Sequence, residues 1–253
     1  MMAKLLPRLG TALSRSWGIL LLLLCWDLWV RLGNLNAIVM PSPAGVLADL
    51  VGNPRLYWLN GGVTLLVALA GLSVGLIVGT TIAVAAWASR VLGGMLLPIA
   101  MTFTSIPVVA TIPILARVLG YNVRTTIAIV ALFSFFTVFV FVSAGLRKLP
   151  AGSQDLFRVL GAGKWTMLVR LALPAALPNL MIAFRLAATQ AVLAAMLAEF
   201  FMGGIGLGYQ FRFSSGQFNT ERAFGMTAVA TAVSLVAFSL AAWAERATRE
   251  RWT

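Results

Sequence analysis

Histidine is absent from the 253 residues. That removes histidine metal sites, histidine proton relays and any Ser-His-Asp triad. A single cysteine, Cys25, stands in an apolar run, so neither a disulfide framework nor a thiolate metal cluster can form. Charge is scarce as well. Asp, Glu, Lys and Arg make up 10% of the chain, against about 25% in ordinary soluble domains. A soluble fold of this length could not cover its surface with so few charges, and a hydrophobic share of 60% points to an integral membrane protein. Only seven carboxylates oppose nineteen Lys and Arg, leaving a formal net charge of +12. In a membrane protein such an excess sits on cytoplasmic loops beside anionic lipid. The cations are scattered between long apolar runs, so no nucleic-acid partner is expected.

A transmembrane helix needs roughly 20 mostly apolar residues. Six segments qualify, near residues 13–32, 63–88, 95–116, 125–146, 177–201 and 224–244. The first follows Lys4, Arg8 and Arg15 like a signal peptide, but Asp27, Trp29 and Arg31 replace a small-residue cleavage site. It reads as a retained span. With six spans both termini share a side. That side collects twelve cations: Lys4, Arg8, Arg15, Arg90, Arg147, Lys148, Arg158, Lys164, Arg170, Arg246, Arg249 and Arg251. The other side collects six: Arg31, Arg55, Arg117, Arg124, Arg212 and Arg222. The excess places both termini in the cytoplasm.

Within the second span Gly71, Gly75 and Gly79 fall on one helix face and admit a close neighbour, either a helix of the same subunit or a dimer mate. Asp27 and Arg31, four apart, predict a local ion pair. Pro98, Pro107 and Pro113 interrupt the third span. Thr104, Ser105 and Thr111 beside them either satisfy freed carbonyls or line a pore. Glu245 and Arg249 at the same four-residue spacing predict a solvated end to the last helix.

Between the fourth and fifth spans lies the segment 147–176. Ser153, after Pro150 and Gly152, is the expected N-cap of a short helix. Asp155 sits in its first turn, where the helix dipole favours negative charge. Gly161 or Gly163 would end it, and a second stretch from Lys164 runs to Pro174. Leu156, Phe157, Val159 and Leu160 give this helix an apolar surface that its own chain has little means to bury. It therefore seeks a partner groove or lies on lipid.

These residues resemble the inner-membrane subunits of bacterial ATP-binding-cassette importers. Their cytoplasmic loop reads E-A-A, three residues, G, nine residues, then I-x-L-P. Here Asp155, Leu156 and Phe157 hold the first three places and Gly161 the glycine, and Leu171, Ala172, Leu173 and Pro174 close the pattern. The spacing agrees throughout. Asp for Glu, Leu and Phe for the alanines, and Leu for Ile depart from it, and the bulkier pair needs a reshaped groove. Pro41-Ser42-Pro43 with Val46-Leu47 is similar to the nitrate/sulfonate/taurine branch. So are Ser105-Ile106-Pro107 through Ile112-Pro113 and Gly120, and Ala198-Glu199-Phe200 before Gly206-Leu207-Gly208-Tyr209.

The resemblance implies an all-α, polytopic, type I importer permease with six transmembrane helices, one permease domain over 1–253 and a coupling loop at 147–176. It implies a multi-pass protein of the bacterial inner membrane. It also implies partners: two cassette ATPase subunits, which bind ATP and Mg, an extracytoplasmic solute-binding protein, and a second permease subunit, read as an identical copy in preference to a different one. The chain itself is not expected to be catalytic or to hold a cofactor or metal. Its lone Gly163-Lys164 lacks the rest of a P-loop. The residues expected to engage the ATPase are Ser153, Asp155, Leu156, Phe157, Arg158, Leu160, Gly161, Lys164 and Pro174. For the translocation path, Arg185, Thr189, Val192, Met196 and Glu199 share one helical face of the fifth span, and Thr104, Ser105 and Thr111 join them from the third. Arg185 suits a small anion such as nitrate, a sulfonate or taurine, or else pairs with a neighbouring helix. The alternative is a channel or secondary transporter working without an ATPase. It would need mid-membrane coupling groups, for which only Asp27, Arg185 and Glu199 are on offer.

Overall fold

The computed structural model describes residues 6–104 and 106–249. Among them all regular structure is helical. Helix α1 (Leu6–Leu32) covers the expected first span. Within it Asp27 and Arg31 pair at 2.7 Å, as their spacing predicts. A short helix, α2 (Pro43–Gly52), follows. Ser42 caps it by accepting from the Gly45 amide at 3.1 Å, and Pro43 occupies the first turn, where its missing N–H costs nothing.

The long helix α3 (Pro54–Ala88) packs most extensively on α6 (Val123–Arg147). The glycine seam of α3 makes this contact possible. A Cβ at Gly75 would lie 2.5 Å from Ser134 Cβ and 2.8 Å from the Ala131 carbonyl oxygen, and Gly71 and Gly79 face Val130 and Val138 in the same way. The seam therefore packs within one subunit.

The expected third span is not one helix. It divides into α4 (Arg90–Thr104) and α5 (Val108–Leu119). Pro107 has no N–H to return to Phe103, whose carbonyl accepts instead from Ile106 at 3.1 Å and turns the chain. At 1.5 Å per residue α4 and α5 are about 22 and 18 Å long, short of the roughly 30 Å apolar core of a bilayer.

After α6 come α7 (Ser153–Val159) and α8 (Lys164–Met167). Helix α8 continues through a π-helical turn at Leu168–Ala172 into α9 (Leu173–Met202). The last two helices are α10 (Leu207–Gly216) and α11 (Thr220–Arg249). Among the described residues four helices are each long and apolar enough to cross a membrane: α3, α6, the continuous Lys164–Met202 helix and α11. Their core lies where α9 meets α3 and α6. Ala183, Ala187, Ala188, Ala191, Ala194 and Ala195 bring the backbones close, the usual device where lipid supplies no hydrophobic drive between helices.

Candidate functional site

The α6–α9 connection is built from its turns. Gly152 adopts φ 74° and swings the chain into α7. Ser153 is therefore already helical. It does not cap: its hydroxyl donates back to the Pro150 carbonyl at 2.6 Å. Gly161, at φ 69°, ends the helix. Its N–H donates to the Arg158 carbonyl and that of Ala162 to Phe157, the paired bonds of a Schellman stop. Gly163 has an ordinary negative φ. Pro174 follows the π-helical turn and opens α9.

No side chain of α7 is buried. Leu156 is 58% exposed, Val159 85%, Leu160 72%, and Trp165 beyond the turn 75%. Phe157 is half-buried. Asp155 and Arg158 meet at 3.4 Å with both side chains open to solvent, an arrangement worth little. Lys164 is exposed. The segment is a short helix closed by a glycine stop, and among the described residues it leaves Leu156, Val159, Leu160 and Trp165 largely open to solvent.

The face of α9 that carries Arg185, Thr189, Val192, Met196 and Glu199 is packed against other helices. Arg185 reaches Glu245 of α11 at 3.1 Å and lies over the Phe238 ring at 5.6 Å. Glu245 thus serves a neighbouring helix and is not a solvated residue; the side chain of Arg249 lies outside the described residues. Thr189 donates to the Arg185 carbonyl in its own helix. Val192 is a core residue, and Met196 packs beside Tyr57, Leu207 and Met226.

Glu199, buried to 3% exposure, ties three helices together. One carboxylate oxygen accepts from the Thr64 hydroxyl at 2.8 Å and the Gly208 amide at 3.0 Å. Thr64 in turn accepts from Leu207 N–H, and Asn60 from Gly206 N–H. A carboxylate set over the amino end of α10 is favoured by the helix dipole. Thr111 donates to the Pro107 carbonyl of its own helix. Ser105 lies outside the described residues, as does the side chain of Thr104.

Two groups went unread in the sequence. The first is a clamp between α2 and α11. Arg222 donates to both carboxylate oxygens of Asp49, at 2.9 and 3.3 Å, and Tyr57 and Asn53 add hydrogen bonds. Burial pushes the Asp49 pKa up, but the bonds and charge of Arg222, with Tyr57 and Asn53, outweigh it and hold the carboxyl below its ordinary value. The second is a pair, Thr137 and Gln190, joined at 2.8 Å across α6 and α9. They border a cavity of about 240 Å³ walled by Phe103, Ile106, Phe133 and Phe136. Gln190, one of two carboxamides in the expected span at 177–201, was the available signal. Among the described residues no three His, Cys, Asp or Glu gather as metal ligands would.

Residues 71–250 match the family described as "Binding-protein-dependent transport system inner membrane component". The chain is 29% identical to the "Probable ABC transporter permease protein" of Haemophilus influenzae over 88% of its length and 91% of the relative's. It is 29% identical to the riboflavin transport system permease protein RibX of Chloroflexus aurantiacus, over 95% and 89%. Against the putative aliphatic sulfonates transport permease protein SsuC of Bacillus subtilis the identity is 27%, over 73% and 67%. The fold is that of the permease in inward-facing MetNI methionine ABC transporter crystals, with a TM-score of 0.64 at 20% identity, covering 79% of this chain and 99% of that one.

Proposed function

The chain belongs to the binding-protein-dependent transport inner-membrane component family, and from that premise we propose how it works as the permease subunit of an ABC importer. Residues 153–163 form the coupling helix. Its apolar side chains, Leu156, Val159 and Leu160, enter a groove on a separate cassette ATPase, while Asp155, Arg158 and Lys164 border that contact. The observation that carries this reading is the exposure of those three side chains, which the described residues of the chain leave largely uncovered. Pro174 and the π-helical turn join the peg to α9, so that ATPase closure moves the long helix as a lever with two packed positions.

The assembly comprises two permease copies, two ATPase subunits that bind ATP and Mg, and an extracytoplasmic solute-binding protein. One permease domain spans the chain. It crosses the bacterial inner membrane with α1, α3, the broken pair α4–α5, α6, α9 and α11, and both termini lie in the cytoplasm. The twelve-to-six division of cations supports that orientation. The solute is small. Two of the relatives bear the names of a putative aliphatic sulfonates transport permease and a riboflavin transport system permease. Arg185, the cation expected to favour an anion, is held by Glu245 in this state.

Reconstitution tests the reading. The permease, its ATPase and the binding protein in liposomes accumulate solute only with ATP. Uptake by the permease alone, without ATP, would overturn the assignment and favour a channel.

A further inference from the structure

Resting on the permease reading, we propose that Thr137 and Gln190, with the rings of Phe103, Phe133 and Phe136, form the solute-recognition subsite of the translocation path. The solute that fits it is an uncharged planar ring bearing amide-type hydrogen-bonding edges.

Gln190 stands twelve residues before the end of α9 and seventeen after its start, about 18 and 26 Å along the axis. Thr137 stands about 21 and 15 Å from the ends of α6. The break between α4 and α5 lies about 20 Å from the far end of either helix. All three features therefore meet near the middle of the membrane. A carboxamide facing hydrocarbon there would cost several kcal/mol, yet Gln190 is exposed at the cavity. Non-helical backbone at that depth is tolerated only where it is buried in protein or lines a wet cavity, and Ile106, at the break, lines this one. Both features argue against lipid at this face and support a place for the cavity on the path.

Every described residue lining the cavity is uncharged. Arg185 precedes Gln190 by five residues, about 140° around the helix, and its guanidinium is engaged by Glu245. Aromatic faces carry partial negative charge and repel an anion. An anion entering here would lose its water and gain no cation. A flat neutral ring would gain stacking: Phe103 and Phe136 lie 5.0 Å apart and nearly parallel, and Phe135 stands edge-on behind Phe136. Thr137 occupies one end of the Gln190 carboxamide. The Gln190 Nε2 amide is left to donate to a ring carbonyl, and the Thr137 hydroxyl oxygen beside it can accept from a ring N–H, the two edges that a lactam or carboxamide presents. A volume of about 240 Å³ is below the roughly 300 Å³ at which drug-sized pockets begin, so it accommodates a single ring.

The test uses the purified permease–ATPase assembly without its binding protein, so that the permease alone selects. Saturation-transfer NMR at millimolar probe compares nicotinamide, a neutral ring with an amide edge, with methanesulfonate, a small anion. Nicotinamide is expected to bind, about tenfold more weakly to Gln190→Ala. Thr137→Val, which keeps the volume and removes the hydroxyl, shifts the same affinity in the same direction and serves if the first variant fails to assemble. Binding of methanesulfonate that survives both substitutions overturns the proposal. So does ring binding indifferent to both, or no ring binding at all. Co-purification of the ATPase reads the permease assignment separately: its loss from the unsubstituted chain strikes that reading, whereas anion binding by an intact assembly strikes only this one.

Discussion

Replacing Leu156 and Leu160 together with aspartate probes the coupling helix where it is most exposed. Burying a whole leucine side chain contributes about 1.5–3 kcal/mol. A partner can cover only what the chain leaves open, 58% of Leu156 and 72% of Leu160, which corresponds to about 1–2 kcal/mol each. Losing both weakens docking by about 2–4 kcal/mol, or roughly 30- to 700-fold in affinity at 1.4 kcal/mol per tenfold. Desolvating a new carboxylate adds to that. Because neither side chain is buried in the chain itself, its own stability should move by no more than about 0.5 kcal/mol. The assay titrates the cassette ATPase onto immobilised permease in nanodiscs, with thermal unfolding as the fold control. Unchanged ATPase affinity in a folded double variant would refute the reasoning and leave α7 as a helix lying on lipid.

Three further outcomes follow from packing and charge. Gly75→Ala forces α3 and α6 apart, because the new Cβ meets a backbone carbonyl at 2.8 Å. Overpacking of about 1–3 kcal/mol should lower the unfolding temperature in detergent, and an unchanged temperature would contradict the seam. The Asp49 clamp has a pKa held below its ordinary value. Its contribution is therefore present above the unfolded carboxyl pKa of about 3.9 and disappears as pH falls through the lower folded value. Wild type should exceed Asp49→Asn in stability at neutral pH and converge with it only under strong acid; a difference already gone at pH 6 would sink this. Arg185→Met strands the Glu245 carboxylate and should destabilise by about 1–3 kcal/mol, allowing for the partial exposure of both groups. Adding Glu245→Gln should restore most of that, and an additive double variant would show that the two do not interact.

Much of the fold was legible because long apolar runs leave few alternatives: α3, α6, α9 and α11 each contain an expected span. Spacing from Asp155 to Pro174 marked the projecting helix, and Gly161 ends it. Local chemistry misled at Ser153. A glycine in the left-handed conformation one residue earlier moved the helix start, so a good capping residue became the first helical one. Three prolines announced a disturbed third span but not the place where it breaks. The helical wheel grouped Arg185 with Glu199 correctly, but a wheel cannot say what covers a face. That face meets α3, α10 and α11, and the cavity opens beside Gln190, one position past Thr189. Asp49 and Arg222 stand 173 residues apart, and a single sequence offers no period linking them.

The most direct test of the coupling helix uses the chain's single cysteine. With Cys25→Ser as background, Val159→Cys places a thiol at a position 85% exposed. A membrane-impermeant maleimide is then offered from either side of sealed vesicles, with and without bound ATPase. The account requires labelling from the cytoplasmic side alone, and protection when the ATPase is seated. Labelling from the external side, or cytoplasmic labelling at an undiminished rate with the ATPase bound, would contradict it.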